Sequence, residues 1–193
     1  MTARESDQEL VERVQRGDKH AFDLLVTKYQ QRIINLVGRF VRNPNDAMDV
    51  TQEAFLKAYR ALPKFRGDSA FYTWMYRIAV NTAKNYLAVQ SRRPLEADQD
   101  YDEIEQIDSS GVLRDQATPE HMLLRDEIQD TVIRAIEELP EDLRTAITLR
   151  EIEGLSYEDI AEVMECPIGT VRSRIFRARE AIDKQLKPLV TDE

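Results

Sequence analysis

The chain has 193 residues, 42% hydrophobic and 33% charged, with a net charge of −9, one cysteine (Cys166) and two histidines, His20 and His121. A single cysteine excludes an intramolecular disulfide, and two distant histidines do not complete a zinc site that needs several ligands. The polar start MTARESDQEL lacks the apolar core of a signal peptide, and every apolar run falls short of the roughly 18 residues that span a bilayer, so the expectation is a cytoplasmic protein without direct membrane insertion.

Six glycines and seven prolines stand singly among runs of Ala, Leu, Glu, Arg and Lys, which predicts an all-α fold with no strand. Phe22, Leu25, Tyr29, Ile33, Leu36, Val37 and Phe40 recur at helical spacing. Asn43-Pro44 stops that helix, and Asn45 or Asp46 is the expected cap of the next. The second helix carries Val50, Ala54, Ala58 and Leu62 along one stripe, with Pro63 closing it. The loop KFRGDS follows, then a helix from about Ala70 to about Gln90, ended by Arg92-Arg93-Pro94. On that helix Met75, Ile78, Ala79, Thr82 and Tyr86 form the expected buried stripe. Trp74, Arg77, Asn81, Lys84 and Asn85 form the outer one, an aromatic with cations and amides that suits single-stranded nucleic acid. Phe71 and Tyr72 fit a core or protein-binding role as well as a base-stacking one.

From Glu96 to Asp108 seven acidic residues occur without one Lys or Arg. Residues 94–120 therefore read as a flexible acidic linker, or otherwise as a solvated surface loop of one larger domain. Residues 1–93 and 121–193 form the two expected helical domains. In the second, Ile128, Val132, Ile136 and Leu139 restore helical periodicity, Pro140 starts another helix, and Gly154 ends it in the manner of a left-handed cap. Ser156 caps a short helix containing Ile160, Ala161 and Val163, and the turn Glu165-Cys166-Pro167 leads into a last long helix.

That helix has two faces. Val171, Ile175, Ala178, Ile182 and Leu186 point inward, while Arg172, Ser173, Phe176 and Arg177 fall opposite, a set able to read base edges in a major groove. Arg174 and Arg179 flank the core stripe, where their heads are expected to reach phosphates. A short capped helix, a tight turn and a long helix make a helix-turn-helix. Net negative charge with a local basic surface implies a protein that needs a partner before it binds DNA. No glycine loop for phosphate, metal cluster or nucleophile triad is present, so neither an enzyme nor a metal or organic cofactor is expected. Cys166 reads as a small buried turn residue, since a redox role needs an exposed thiol of lowered pKa.

The segments DVTQEAFLKAYRAL, FRGDSAFYTWMYRIAVNTAKNYL and LPEDLRTAITLREIEGLSYEDIAEVMECPIGTVRSRIFRAREAI resemble the sigma-two and sigma-four domains of extracytoplasmic-function sigma factors of the sigma-70 family. The nearest resemblance is to the envelope-stress sigma-E group, with the alginate-regulating sigma factors of pseudomonads. It implies an alternative sigma factor that directs core RNA polymerase to promoters of stress-response genes. By the same resemblance, Asp49, Gln52, Glu53 and Phe55 would contact core RNA polymerase. Phe65, Arg66, Gly67, Asp68 and Ser69, with Trp74, Arg77, Asn81, Lys84 and Asn85, would read and melt the minus-ten element as single-stranded DNA. Thr170, Arg172, Ser173, Arg174, Phe176 and Arg177 would read the duplex minus-35 element, with a DNA-backbone contact from Arg150. The acidic linker would thread toward the RNA exit path, and a membrane-anchored anti-sigma factor would hold the protein inactive. The rival is a conventional helix-turn-helix regulator that acts without core polymerase docking.

Overall fold

The structure is a computed structural model that describes residues 6–92 and 119–190, with side chains of the helix opening at Pro119 described from Glu127. Among these residues every regular element is helical, and they divide into two compact units. Residues 94–118 of the expected linker lie outside the described residues, and its last two, Pro119 and Glu120, already open a helix.

The first unit is built from α1 (Asp7–Gln15), α2 (Lys19–Gly38), α3 (Pro44–Ala61) and α4 (Phe71–Gln90). α1, which the periodicity did not announce, starts at a capping box in which Ser6 and Glu9 satisfy each other's backbone donors. The Ser6 N–H on the Glu9 carboxylate is the main reason that group stays below the ordinary glutamate range. Gly17 at φ +100° turns the chain toward α2, and the Arg13 guanidinium grips Asp18 at 2.7 Å. Asp18 also caps α2 through the His20 and Ala21 N–H groups. Its carboxyl is held below the usual aspartate range, first by Arg13.

The cap of α3 is Asn43 and not Asn45 or Asp46. Pro44 occupies the first helical position, where its missing N–H costs nothing, and Asn43 Oδ1 accepts from the N–H of Asn45 and Asp46. α3 ends at Ala61 in a short 3-10 turn, Leu62–Lys64. α4 packs against α1, α2 and α3. Leu25, Ile33, Leu36, Val37, Ala54, Ala58, Leu62, Met75 and Ala79 are fully buried between these helices.

The second unit comprises α5 (Pro119–Glu138), α6 (Glu141–Ile147), α7 (Tyr157–Val163) and α8 (Ile168–Val190). α6 continues into one wider turn, Thr148–Ile152, in which the Glu153 N–H reaches back five residues to the Thr148 carbonyl. Gly154, at φ +69°, reverses the chain in the left-handed region, as expected. Ser156 Oγ accepts from the Asp159 N–H at 3.0 Å, capping α7. Against α5 and α6, α8 buries Val171, Ile175 and Ala178. Ala135, Leu139, Ile147, Leu149 and Ile160 complete that core.

Candidate nucleic-acid and partner interfaces

On α3 the inward stripe of Val50, Ala54, Phe55 and Ala58 leaves Asp49, Gln52 and Glu53 in solvent. Phe55 departs from its expected role: its ring is 7% exposed and belongs to the core. The apolar atoms that α3 does offer are Met48 and Leu56, each 55% exposed and each about one turn from Gln52, on either side of it. Glu53 is paired with Lys57 at 2.7 Å. The exposed face is therefore an acidic and amide surface flanked by two flexible apolar side chains.

The loop between the 3-10 turn and α4 is held at its base and open at its tip. The half-buried Phe65 ring lies 4.9 Å from Trp74 and 6.5 Å from Phe71. Arg66, Gly67 and Asp68 are exposed, with Arg66 and Asp68 paired at 3.1 Å, and Gly67 turns the tip at φ +75°. The stacking surface expected at Trp74 is not available, because Phe65 and Phe71 cover the indole and leave it 7% exposed. Thr73, Tyr76, Val80 and Ala83 are buried as well as the expected Met75, Ala79 and Thr82, so α4 is buried around most of its circumference. Asn81 and Asn85 remain exposed on it, with Arg77 and Lys84 half-buried beside them.

In the second unit, Arg172, Ser173, Phe176 and Arg177 share the open side of α8. Phe176 is 68% exposed, while Ile175, its neighbour in sequence, is 1% exposed. Thr170 is half-buried at the start of this helix, its N–H bonded to the Pro167 carbonyl. The Ser173 hydroxyl donates back to the Gly169 and Thr170 carbonyls.

Arg150, Arg174 and Arg179 each have partners within the protein. Arg174 Nη2 holds Asp142 at 2.5 Å and its Nη1 approaches Cys166 Sγ at 3.4 Å. Arg179, about half exposed, holds Glu151 at 2.5 Å. Arg150 donates to the Leu155 carbonyl at 2.7 Å and stacks 4.8 Å from the centre of the Tyr157 ring. Arg172 lies 5.8 Å from the same ring, so Tyr157, which carried no sequence signal of its own, lies against both guanidinium groups. Cys166 is half-buried.

Family models match both units: one described as Sigma-70 region 2 covers residues 25–93, and one described as Sigma-70, region 4 covers residues 129–182. The chain is 64% identical over 192 residues to the RNA polymerase sigma-H factor of Pseudomonas aeruginosa, covering 100% of each. It is 60% identical over 190 residues to the ECF RNA polymerase sigma-E factor of Escherichia coli, covering 98% of this chain and 99% of that one. Among solved structures, CnrH bound to the cytosolic domain of CnrY aligns over 95% of this chain and 99% of that one, with a TM-score of 0.68 and 24% identity. The sigma factor RpoE of Bartonella quintana, bound to the anti-sigma factor NepR, aligns over 89% and 98%, with a TM-score of 0.62 and 23% identity. At that identity both structures speak to the fold.

Proposed function

The chain belongs to the extracytoplasmic-function sigma factors of the sigma-70 family, and on that premise we propose that it docks on core RNA polymerase and directs it to a restricted set of promoters. It is an initiation factor and not an enzyme; RNA synthesis belongs to the polymerase core. The observation that carries the reading is the open face of α8, where a 68% exposed phenylalanine stands among Arg172, Ser173 and Arg177 on a helix whose other side buries Val171, Ile175 and Ala178. Such a face fits the major groove of the minus-35 element: Arg grips guanine, Ser bonds either base type, and Phe meets a thymine methyl.

The first unit supplies the other functions. Asp49, Gln52 and Glu53, with Met48 and Leu56 in place of Phe55, form the docking face for core polymerase. The tip Arg66–Ser69, with Asn81, Lys84 and Asn85, takes the minus-ten strand, a base leaving the stack to be read on its Watson–Crick edge. Neither module holds a promoter alone, but two modules on one polymerase act at a high mutual effective concentration. The net charge of −9 suppresses binding to free DNA.

No helix among the described residues is long and apolar enough to cross a membrane. We place the protein in the cytoplasm, held there by a membrane-anchored anti-sigma factor that covers the polymerase-binding faces, and its promoters among envelope-stress genes. The modules are separable by mutation. Arg172→Ala weakens binding of the minus-35 duplex by holoenzyme, and Asn81→Ala damages strand opening, read by permanganate footprinting. Each variant keeps wild-type affinity for core; a parallel loss of core affinity in both would contradict the assignment.

A further inference from the structure

α1 carries none of the residues assigned a role above, yet its last side chain reaches the base of the minus-ten loop. Gln15 Nε2 donates to the carbonyl of Leu62 at 3.0 Å and to that of Phe65 at 2.8 Å. These two carbonyls bracket the 3-10 turn from which the loop springs; that of Leu62 also accepts the Phe65 N–H at 3.0 Å, which closes the turn. The peptide plane that contains the Phe65 carbonyl also contains the Arg66 N–H. Holding that oxygen therefore sets the direction in which Arg66 and the exposed tip leave the domain.

We propose that Gln15 is a positioning residue for promoter reading: its side-chain amide fixes the first limb of the Phe65–Ser69 loop, so that the tip meets the minus-ten strand already in its bound orientation. This rests on the reading of that loop as the minus-ten element. Gln15 works from a rigid support. Asp7, at the far end of α1, is bonded by Lys28 at 2.5 Å and by the Tyr29 hydroxyl. Arg13 is locked to Asp18, and Leu10, Val11 and Val14 are buried. On the loop side the Phe65 ring is wedged against Trp74. Backbone and ring of Phe65 are thus held from two directions, whereas the residues after it reach solvent.

The chemistry selects an amide. Gln15 is exposed, so a residue needed only to continue α1 could equally be Glu or Lys, both good helix formers. An NH2 group has two donors for two carbonyls; an ionised Glu of the same length has none and would set its charge against both oxygens.

The test compares holoenzymes carrying Gln15→Ala, Gln15→Glu, Gln15→Lys and, as a control on the loop, Arg66→Ala. The readouts are fluorescence anisotropy with a labelled non-template minus-ten oligonucleotide and affinity for core. Loss of two neutral hydrogen bonds predicts that Gln15→Ala weakens oligonucleotide binding by about tenfold and Gln15→Glu by at least as much. Gln15→Lys, which keeps donors, recovers most of it, and core affinity moves by less than about twofold in all three. Wild-type oligonucleotide binding by Gln15→Glu, while Arg66→Ala loses it, would overturn the clamp alone. A parallel fall in core affinity would reduce Gln15 to a structural residue. Wild-type binding by Arg66→Ala would instead overturn the reading of the loop, and the clamp with it.

Discussion

Phe176→Ala separates folding from reading more sharply than any other single change in α8. The ring is 68% exposed, so its removal leaves no cavity and shifts stability by no more than about 0.5 kcal/mol. A phenylalanine side chain buries ~150–250 Å² when fully covered, which leaves about 100–170 Å² open here. If a thymine methyl and its neighbours cover half of that, about 25 cal/mol per Å² gives roughly 1–2 kcal/mol. The duplex affinity should therefore fall about five- to thirtyfold. The adjacent Ile175→Ala should do the reverse: at 1% exposure it lies in the core, and truncation there costs about 2–5 kcal/mol. The assays are thermal unfolding of the full chain and anisotropy of holoenzyme on a labelled minus-35 duplex. A Phe176→Ala protein that melts several degrees early, or that binds the duplex as wild type does, would refute the assignment of this face.

Other changes probe the remaining faces. Arg174→Ala should cost about 1 kcal/mol in unfolding because it removes the ion pair with Asp142, whereas Arg172→Ala should leave the melting temperature alone and lower duplex affinity; identical profiles would contradict the division between them. Leu56→Glu should keep the fold, its side chain being 55% exposed, and weaken core binding by at least about tenfold in a native-gel titration, as expected for a buried apolar contact turned charged. Tyr29→Phe should alter alkaline stability. Burial, then the Asp7 carboxylate, pushes the Tyr29 phenol well above its ordinary range. Its contribution is thus complete below about pH 10 and is lost as pH rises toward the folded value. Thermal melts from neutral to strongly alkaline pH should show the wild type falling steeply above that point, while Tyr29→Phe starts lower and falls less.

The elements that were legible in the sequence are those whose cause is local. The stripe from Val171 to Ala178 follows from spacing alone, and Gly154 and Ser156 do at the chain reversal and the α7 cap what their chemistry dictates. Errors arose where a distant residue decides. Trp74 falls on a polar helical face by angle, yet Phe65 folds back over it from the loop. Phe55 sits one residue from exposed Leu56, and only the packing of α3 says which of the two turns inward. Arg174 and Arg179 take the expected flanking positions, and what local pattern does not show is their acidic partners, 32 and 28 residues away. α1 is short and carries only three buried side chains, too few for a periodic signal. The contacts of Gln15 span 47 and 50 residues and leave no trace in local pattern.

The central claim is sigma activity, and run-off transcription tests it most directly. Purified core polymerase is assayed on an envelope-stress promoter with and without this protein. The account predicts a discrete transcript that appears only when the protein is added. It also predicts loss of that transcript with Leu56→Glu, through docking, and with Arg172→Ala, through recognition. No transcript together with no binding to core would contradict the account and favour a helix-turn-helix regulator that acts on DNA without the polymerase.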